Sequence, residues 1–308
     1  MIPPAIDHAR MFASHLGEFA GLGAAMLWAV TALLYFQIGR RVPPLALNLY
    51  KGVLASAMLA IALAVQGKLW LTGETTALLW LATSGVVGIG IGDTAFFAAL
   101  NRLGERRTVL MAETLAPPLT TLIAMVVLAE LLPLTAYLGI TLTLFGVAWV
   151  IVDKGVGEPR DREHLKLGVV YATIAALCQA IGSVISRGVL TTTDITPMQS
   201  ALIRMLGGVA ILLVWLPASG RALLPAGARQ ASIWRWILLA TFMGTFIGIT
   251  LQQVALQNAD AGIAQTLLAT SSLFVMPLVV VRGETVSLRA ICGAVMAVAG
   301  IALLFAAG

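Results

Sequence analysis

Long apolar runs separated by brief polar breaks dominate the chain, and none of them alternates with a period of two. A helix needs about 20 mostly apolar residues to cross the hydrocarbon core of a bilayer. With Gly, Pro and charge as punctuation, ten segments reach that length: residues 18–38, 45–66, 77–100, 106–128, 134–152, 167–187, 198–217, 234–257, 262–281 and 287–307. Several are apolar on every face, which argues against an outer-membrane barrel, whose strands alternate apolar and polar positions. The connections are short, so neighbouring helices are expected as antiparallel hairpins. One polar stretch, Asp153–Lys166, is dense in charge and falls at the midpoint. It reads as a linker at 153–166 between a first half, 18–152, and a second, 167–307. The pattern predicts an all-α membrane protein of ten transmembrane helices.

Composition agrees and removes other classes. Hydrophobic residues make up 59% of the 308 and charged residues 11%, with a mean hydropathy of +0.96. Soluble chains carry about 25% charge, so the surface cannot be one that faces water, and the lipid bilayer is the expected partner. The net charge of +5 raises the question of nucleic acid. The basic residues stand in ones and twos between apolar runs, without a basic stripe interleaved with aromatics, so no nucleic-acid partner is expected. Their placement reports orientation instead. The loops after spans 1, 3, 5, 7 and 9 hold Arg40 and Arg41; Arg102, Arg106 and Arg107; Lys154, Arg160, Arg162 and Lys166; Arg221, Arg229 and Arg235; Arg282 and Arg289. The opposite side holds only Arg10, Lys68 and Arg187. The odd-numbered loops are therefore expected in the cytoplasm and both termini outside. Cys178 and Cys292 lie in apolar segments and read as small packing residues.

The chain repeats itself. Glu130-x8-Gly139-x6-Gly146 returns as Glu284-x8-Gly293-x6-Gly300, with Thr135 and Ser287 just after each Glu. Pro44-x6-Lys51 returns as Pro197-x6-Arg204, and Gly88-x3-Gly92 as Gly244-x3-Gly248. These matches keep their order at offsets of 153 to 156 residues, which one motif in a glycine-rich chain would not establish. Five spans per half is an odd number, so the second half is expected to cross the membrane in the opposite sense. Inverted repeats recur in secondary transporters, with substrate held near the midplane between the halves.

Ten spans in a 5+5 duplication, the Pro-x6-[Lys/Arg] start of the second helix and the Glu-x8-Gly-x6-Gly closing helix resemble the EamA domains of the drug/metabolite transporter superfamily. The resemblance covers about residues 18–307. It implies an inner-membrane permease, often an exporter of amino acids or other small metabolites, with a central cavity and no use of ATP. Both a monomer and a homodimer are compatible with it.

Charged groups at membrane depth are costly and therefore point to function. Asp93, about two-thirds along span 3, is a candidate proton-coupling site, with structural pairing to a neighbouring helix as the alternative. The second half has Ile249 at the equivalent position. Glu113 lies some seven residues into span 4, roughly 10 Å at 1.5 Å per residue. It reads as a partner to Lys51 or as cavity lining. Lys51 and Arg204 are about two turns inside spans 2 and 7. They either snorkel to the interface or face the cavity, where each serves one gate or meets a substrate carboxylate. Glu130 and Glu284 fit stabilisation of the helix N-termini that follow them. The remaining candidate lining is Trp28, Tyr35, Tyr50, Gln179, Gln252, Gln253, Gln265, Ser271 and Ser272. Trp28 and Gln179 stand at equivalent places in the first helices of the two halves.

Three rivals remain open on sequence. Gly90-x-Gly92-Asp93 spells the GxGD motif of intramembrane aspartyl proteases, but that chemistry needs a second aspartate. Asp153, Asp194 and Asp260 all stand at span ends or in loops. Efflux of cationic drugs depends in similar proteins on an embedded Glu in the first helix, and Glu18 stands only at its start. Flipping of a lipid-linked carrier asks for a groove open to the bilayer. No Walker motif, HExxH or histidine within a span occurs, so neither a cofactor nor a metal is expected.

Overall fold

The computed structural model describes residues 15–69, 74–152, 162–220, 222, 230–271, 273–274 and 288–306. Among these residues there are helices and no strand: α1 (Leu16–Gly39), α2 (Pro44–Val65), α3 (Thr75–Leu103), α4 (Glu105–Val127), α5 (Leu134–Val152), α6 (Arg162–Thr192), α7 (Pro197–Ala218), α8 (Ala231–Asn258), α9 (Ala261–Ala269) and α10 (Leu288–Phe305). Six of them, α1, α2, α3, α6, α7 and α8, are long and apolar enough to cross a membrane. Shorter apolar stretches occupy Met111–Val127, Leu134–Trp149 and Ile291–Phe305. Two expectations change. Helix α6 begins at Arg162, so the last residues of the expected 153–166 linker are already helical. The helix expected over 262–281 is described only as Ala261–Ala269, and Glu284, Ser287 and Ser272 lie outside the described residues.

Local chemistry sets the helix starts and stops. Pro44 and Pro197 stand at first-turn positions, where a missing N–H loses no bond. Thr196 and Gln199 form a reciprocal capping box on α7: the Gln199 N–H donates to the Thr196 hydroxyl at 3.3 Å and the Thr196 N–H to the Gln199 amide oxygen at 3.0 Å. Gly104 ends α3 with φ 78°, a backbone conformation that favours glycine. The outer faces carry large apolar side chains such as Ile61, Val126, Leu213 and Val298, as a surface bathed in hydrocarbon requires.

Packing runs between the halves. Helix α1 packs on α8 and α6 on α3; α2 packs on α7 and α5 on α10; α4 packs on α6 and α9 on α1. In the α5–α10 seam a Cβ at Gly139 would meet the Gly300 carbonyl, and one at Gly146 would meet Gly293. The first glycine of each motif thus faces the second glycine of the other, so these two equivalent helices run antiparallel. Helices α2 and α7 do the same: Gly52 faces Val209, while near the other end the Gln66 amide approaches the Met198 sulfur. Two lipid-bathed helices gain nothing from hydrophobic exclusion, so close backbone approach must supply the contact.

Helices α3 and α8 are not regular. Each carries a π-helical segment at its centre, Val86–Asp93 in α3 and Thr241–Ile247 in α8. The repeated Gly-x3-Gly motifs lie on or beside these segments. A π-turn frees backbone carbonyls from the usual ladder, and in each segment one such region meets a side chain from another helix. Asn48 on α2 donates to the Ile89 carbonyl at 2.7 Å and to the Thr94 hydroxyl at 2.9 Å. The Trp28 indole N–H on α1 donates to the Gly244 carbonyl at 2.8 Å.

A leucine in place of Gly300 has nowhere to go but into the backbone of Thr143 and Gly139. Gly300→Leu is expected to destabilise the detergent-solubilised protein by about 1–3 kcal/mol, seen as a lower Tm. Val298→Leu, on the outward face of the same helix, is expected to leave Tm unchanged.

Candidate functional site

Asp93 closes the π segment of α3, and the turn tilts it toward α2. There the Lys51 ammonium donates to the Asp93 carboxylate in a short, partly buried ion pair. Lys51 does not snorkel: its side chain is 7% exposed, against 28% for that of Asp93. Its ammonium lies 5.1 Å from the centre of the Phe97 ring and 5.9 Å from that of Tyr35. Aromatic faces attract a cation, so two rings and one carboxylate hold it in place. The Tyr35 hydroxyl shares a 3.1 Å hydrogen bond with Thr245 in the π segment of α8. Through Tyr35 and Lys51 the two irregular turns, one from each half, are joined at a single site.

Arg204 completes the site from α7. Its side chain is among the largest fully buried ones, at 2% exposure. Helix α7 crosses α3 so tightly that a Cβ at Gly85 would overlap the Arg204 carbonyl. The guanidinium reaches the crossing of α3 and α6, with Nη2 3.2 Å from where a Cβ of Gly88 would stand and 3.4 Å from that of Gly182. Gly88 and Asp93 share one segment, about 7 Å apart along a helix axis.

Other expectations are redistributed. Glu113 is not the partner of Lys51; it accepts a 3.1 Å hydrogen bond from Ser271. Lys51 and Arg204 do not stand at opposite gates but lean on the same segment of α3, because α7 runs beside α3 and α2 crosses it at Asn48. Trp28 and Gln179 do not form a matched pair: the Trp28 indole is spent on Gly244, and Gln179 is half-buried on α6. Gln265 accepts from Ser183 at 3.1 Å, and Gln253 accepts from Ser200 at 2.8 Å, both across helix interfaces. Gln252 is buried, with its amide nitrogen lacking a hydrogen-bond partner.

A second cluster closes the end of the bundle formed by the loops after α4 and α8. Arg187 Nε donates to Glu130 at 2.7 Å, Nη2 to Asp260 at 3.1 Å, and Nη1 to the carbonyls of Leu256 and Gln257 at 3.0 Å each. Glu130 also accepts the Ala261 N–H at 2.9 Å. It therefore stabilises the start of α9 in the other half, not the helix that follows it. The carbonyls at the end of α8 attract the cation, and the first turn of α9 attracts the carboxylate. At the opposite end, Phe36, Gly39, Pro44, Leu47, Leu100 and Asn101 form a tight crevice with Tyr35 and Phe97, the two rings beside Lys51.

Asn48 and Arg187 were not singled out from sequence. Asn48 was visible as an amide in an otherwise apolar helix. Arg187 was counted only as an orientation signal, since its four acceptors come from two distant segments, Glu130 and the stretch from Leu256 to Asp260.

The EamA-like transporter family matches residues 15–152 and again residues 166–306. The chain belongs to the EamA-like transporter family. It is accordingly a multi-pass membrane transporter of the drug/metabolite type and not an enzyme, which removes the aspartyl protease reading. A solved structure titled "Crystal structure of protein" shares the fold at 19% identity, with a TM-score of 0.75 over 93% of this chain and 95% of that one. No curated protein matches the chain.

Removing Arg187 leaves Glu130 and Asp260 without their shared cation. Because these groups are partly exposed, Arg187→Met is expected to cost about 1–3 kcal/mol, read as a lower Tm. Adding Glu130→Gln is expected to recover part of that loss.

Proposed function

We propose that this transporter exports small metabolites, amino acids first among them, by alternating access across the inner membrane of the cell. In this reading the ten helices all span, the segments 18–152 and 167–307 act as inverted repeats, and the charged linker between them lies in the cytoplasm. The observation that carries the proposal is the approach of two equivalent cations, Lys51 and Arg204, to one π segment of α3 that carries a single carboxylate, Asp93. That carboxylate has no counterpart in the second half, where Ile249 occupies the equivalent position. A symmetric frame serves to rock one half against the other, and the single asymmetric acid serves to couple that motion to a proton.

The direction of transport finds support in which end is shut. The Arg187 network joins the halves at the end assigned outside by the distribution of Lys and Arg, and the crevice beside Tyr35 and Phe97 lies at the end assigned to the cytoplasm. An outside end held shut by ion pairs is what an exporter needs while it loads from the cytoplasm. In this reading Gln179 and Gln252 become polar lining once the halves part, with Glu113, Trp28 and Gln265 released from their present contacts. Efflux of cationic compounds has less support, because Asp93 is already engaged by Lys51 and the site carries an excess of positive charge.

Proteoliposomes loaded in turn with labelled amino acids, nucleosides and cationic dyes test the proposal. Amino-acid efflux that accelerates under a pH gradient is expected from the wild type. Asp93→Asn is expected to retain flow down a substrate gradient while losing the response to pH, with the coupled rate falling at least tenfold. An unchanged pH response in that variant would remove Asp93 from the mechanism.

A further inference from the structure

Arg204 holds a charge that the described protein leaves unmatched. Its Nε and Nη1 groups are buried and have no hydrogen-bond partner, although the residue is only 2% exposed. Four acids named above are engaged elsewhere. Asp93 receives the Lys51 ammonium, Glu113 the Ser271 hydroxyl, and Glu130 and Asp260 share Arg187. Two cations beside a segment that carries one carboxylate leave a single positive charge over. A buried, unpaired guanidinium is strongly unfavourable, so retaining one implies a partner that arrives during the working cycle. Its planar fork of N–H donors matches an oxyanion such as a carboxylate in a two-point contact.

The cover over this group belongs to both halves. Nη2 rests against Gly88 of α3 and Gly182 of α6, which lie in different halves, so a motion that parts the halves uncovers the guanidinium. We propose that Arg204 is the docking point for a singly charged carboxylate on the transported molecule, reached when α3 and α6 separate. This deepens the exporter reading and rests on it: the cargo is a carboxylate-bearing metabolite, and Lys51 stays with Asp93 for coupling. A doubly charged phosphate exceeds the unmatched charge by one and is the less favoured oxyanion.

The test uses the purified full-length chain and matched sets of free amino acids, their N-acetyl derivatives and their carboxamides, with inorganic phosphate as a further arm. Binding is read as a ligand-induced rise in Tm and as an apparent Kd. Free and N-acetyl amino acids are expected to bind, and carboxamides and phosphate at least tenfold more weakly. Arg204→Met is expected to abolish carboxylate binding while raising the Tm of the ligand-free protein, because an unpaired buried charge has been removed. Arg204→Lys, which keeps the charge but loses the fork, is expected to bind with intermediate affinity. Carboxamides or phosphate binding as well as carboxylates, no carboxylate binding by the wild type, or a lower ligand-free Tm in Arg204→Met would each overturn the assignment. Flux in proteoliposomes separates this from the exporter reading. Acids and amides exported equally well would reject the docking role and leave transport standing, whereas Arg204-dependent binding without flux would do the reverse.

Discussion

The uneven charge count beside the π-turn of α3 is the constraint on which the rest of the structure turns. Lys51 and Arg204 enter from equivalent helices of the two halves, and a single carboxylate, Asp93, stands where two would balance them. Surrounding features fit that arrangement. Asn48 clamps the turn that presents Asp93, Phe97 and Tyr35 confine the ammonium, and the Gly85 approach brings α7 near enough for Arg204 to reach the same segment. Low dielectric strengthens every one of these interactions and makes each missing partner more costly.

Around this asymmetric centre the scaffold is close to two-fold symmetric. First helices pack on third helices of the opposite half, second helices pair with each other, and fifth helices meet along the glycine seam. Both third helices break into a π-turn at the same level. The departures from symmetry are where polar chemistry gathers. Asn48 corresponds to Ala201, Asp93 to Ile249 and Trp28 to Gln179, so the first half carries the carboxylate and its clamp, while the second supplies the cation left without one. Bilayer-embedded helices held by backbone proximity can slide or part with little loss of apolar contact, because lipid takes the place of the partner. Polar contacts such as the Arg187 network then hold the halves in the arrangement seen.

Much of this was legible in the chain itself. Apart from the ninth, described only as Ala261–Ala269, long apolar runs located the helices to within about five residues, since hydrocarbon demands helices of fixed length, and spacing between Pro44 and Lys51 or Glu130 and Gly146 exposed the duplication. Asp93, Lys51 and Arg204 stood out because charge is rare at depth. What did not show was which charge meets which. Pairing Lys51 with Glu113 was as reasonable by depth as pairing it with Asp93, and only the crossing of α2 over α3 decides between them. The π-turns were also invisible, because Gly-x3-Gly reads equally well as a packing face on a regular helix. Glu130 stabilises a helix start, but that start, at Ala261, is 131 residues away in sequence, beyond what local spacing reveals.

The central claim is that Lys51 and Asp93 act as one unit in transport, with Arg204 left over for the cargo. A double-mutant cycle on amino-acid efflux tests it most directly, using Lys51→Met, Asp93→Asn and the pair together at equal protein density. If the two side chains work through each other, the double variant transports no more slowly than the slower single variant, a strong departure from additivity. Losses that multiply, with each substitution slowing flux by the same factor whether or not the other is present, would contradict the account.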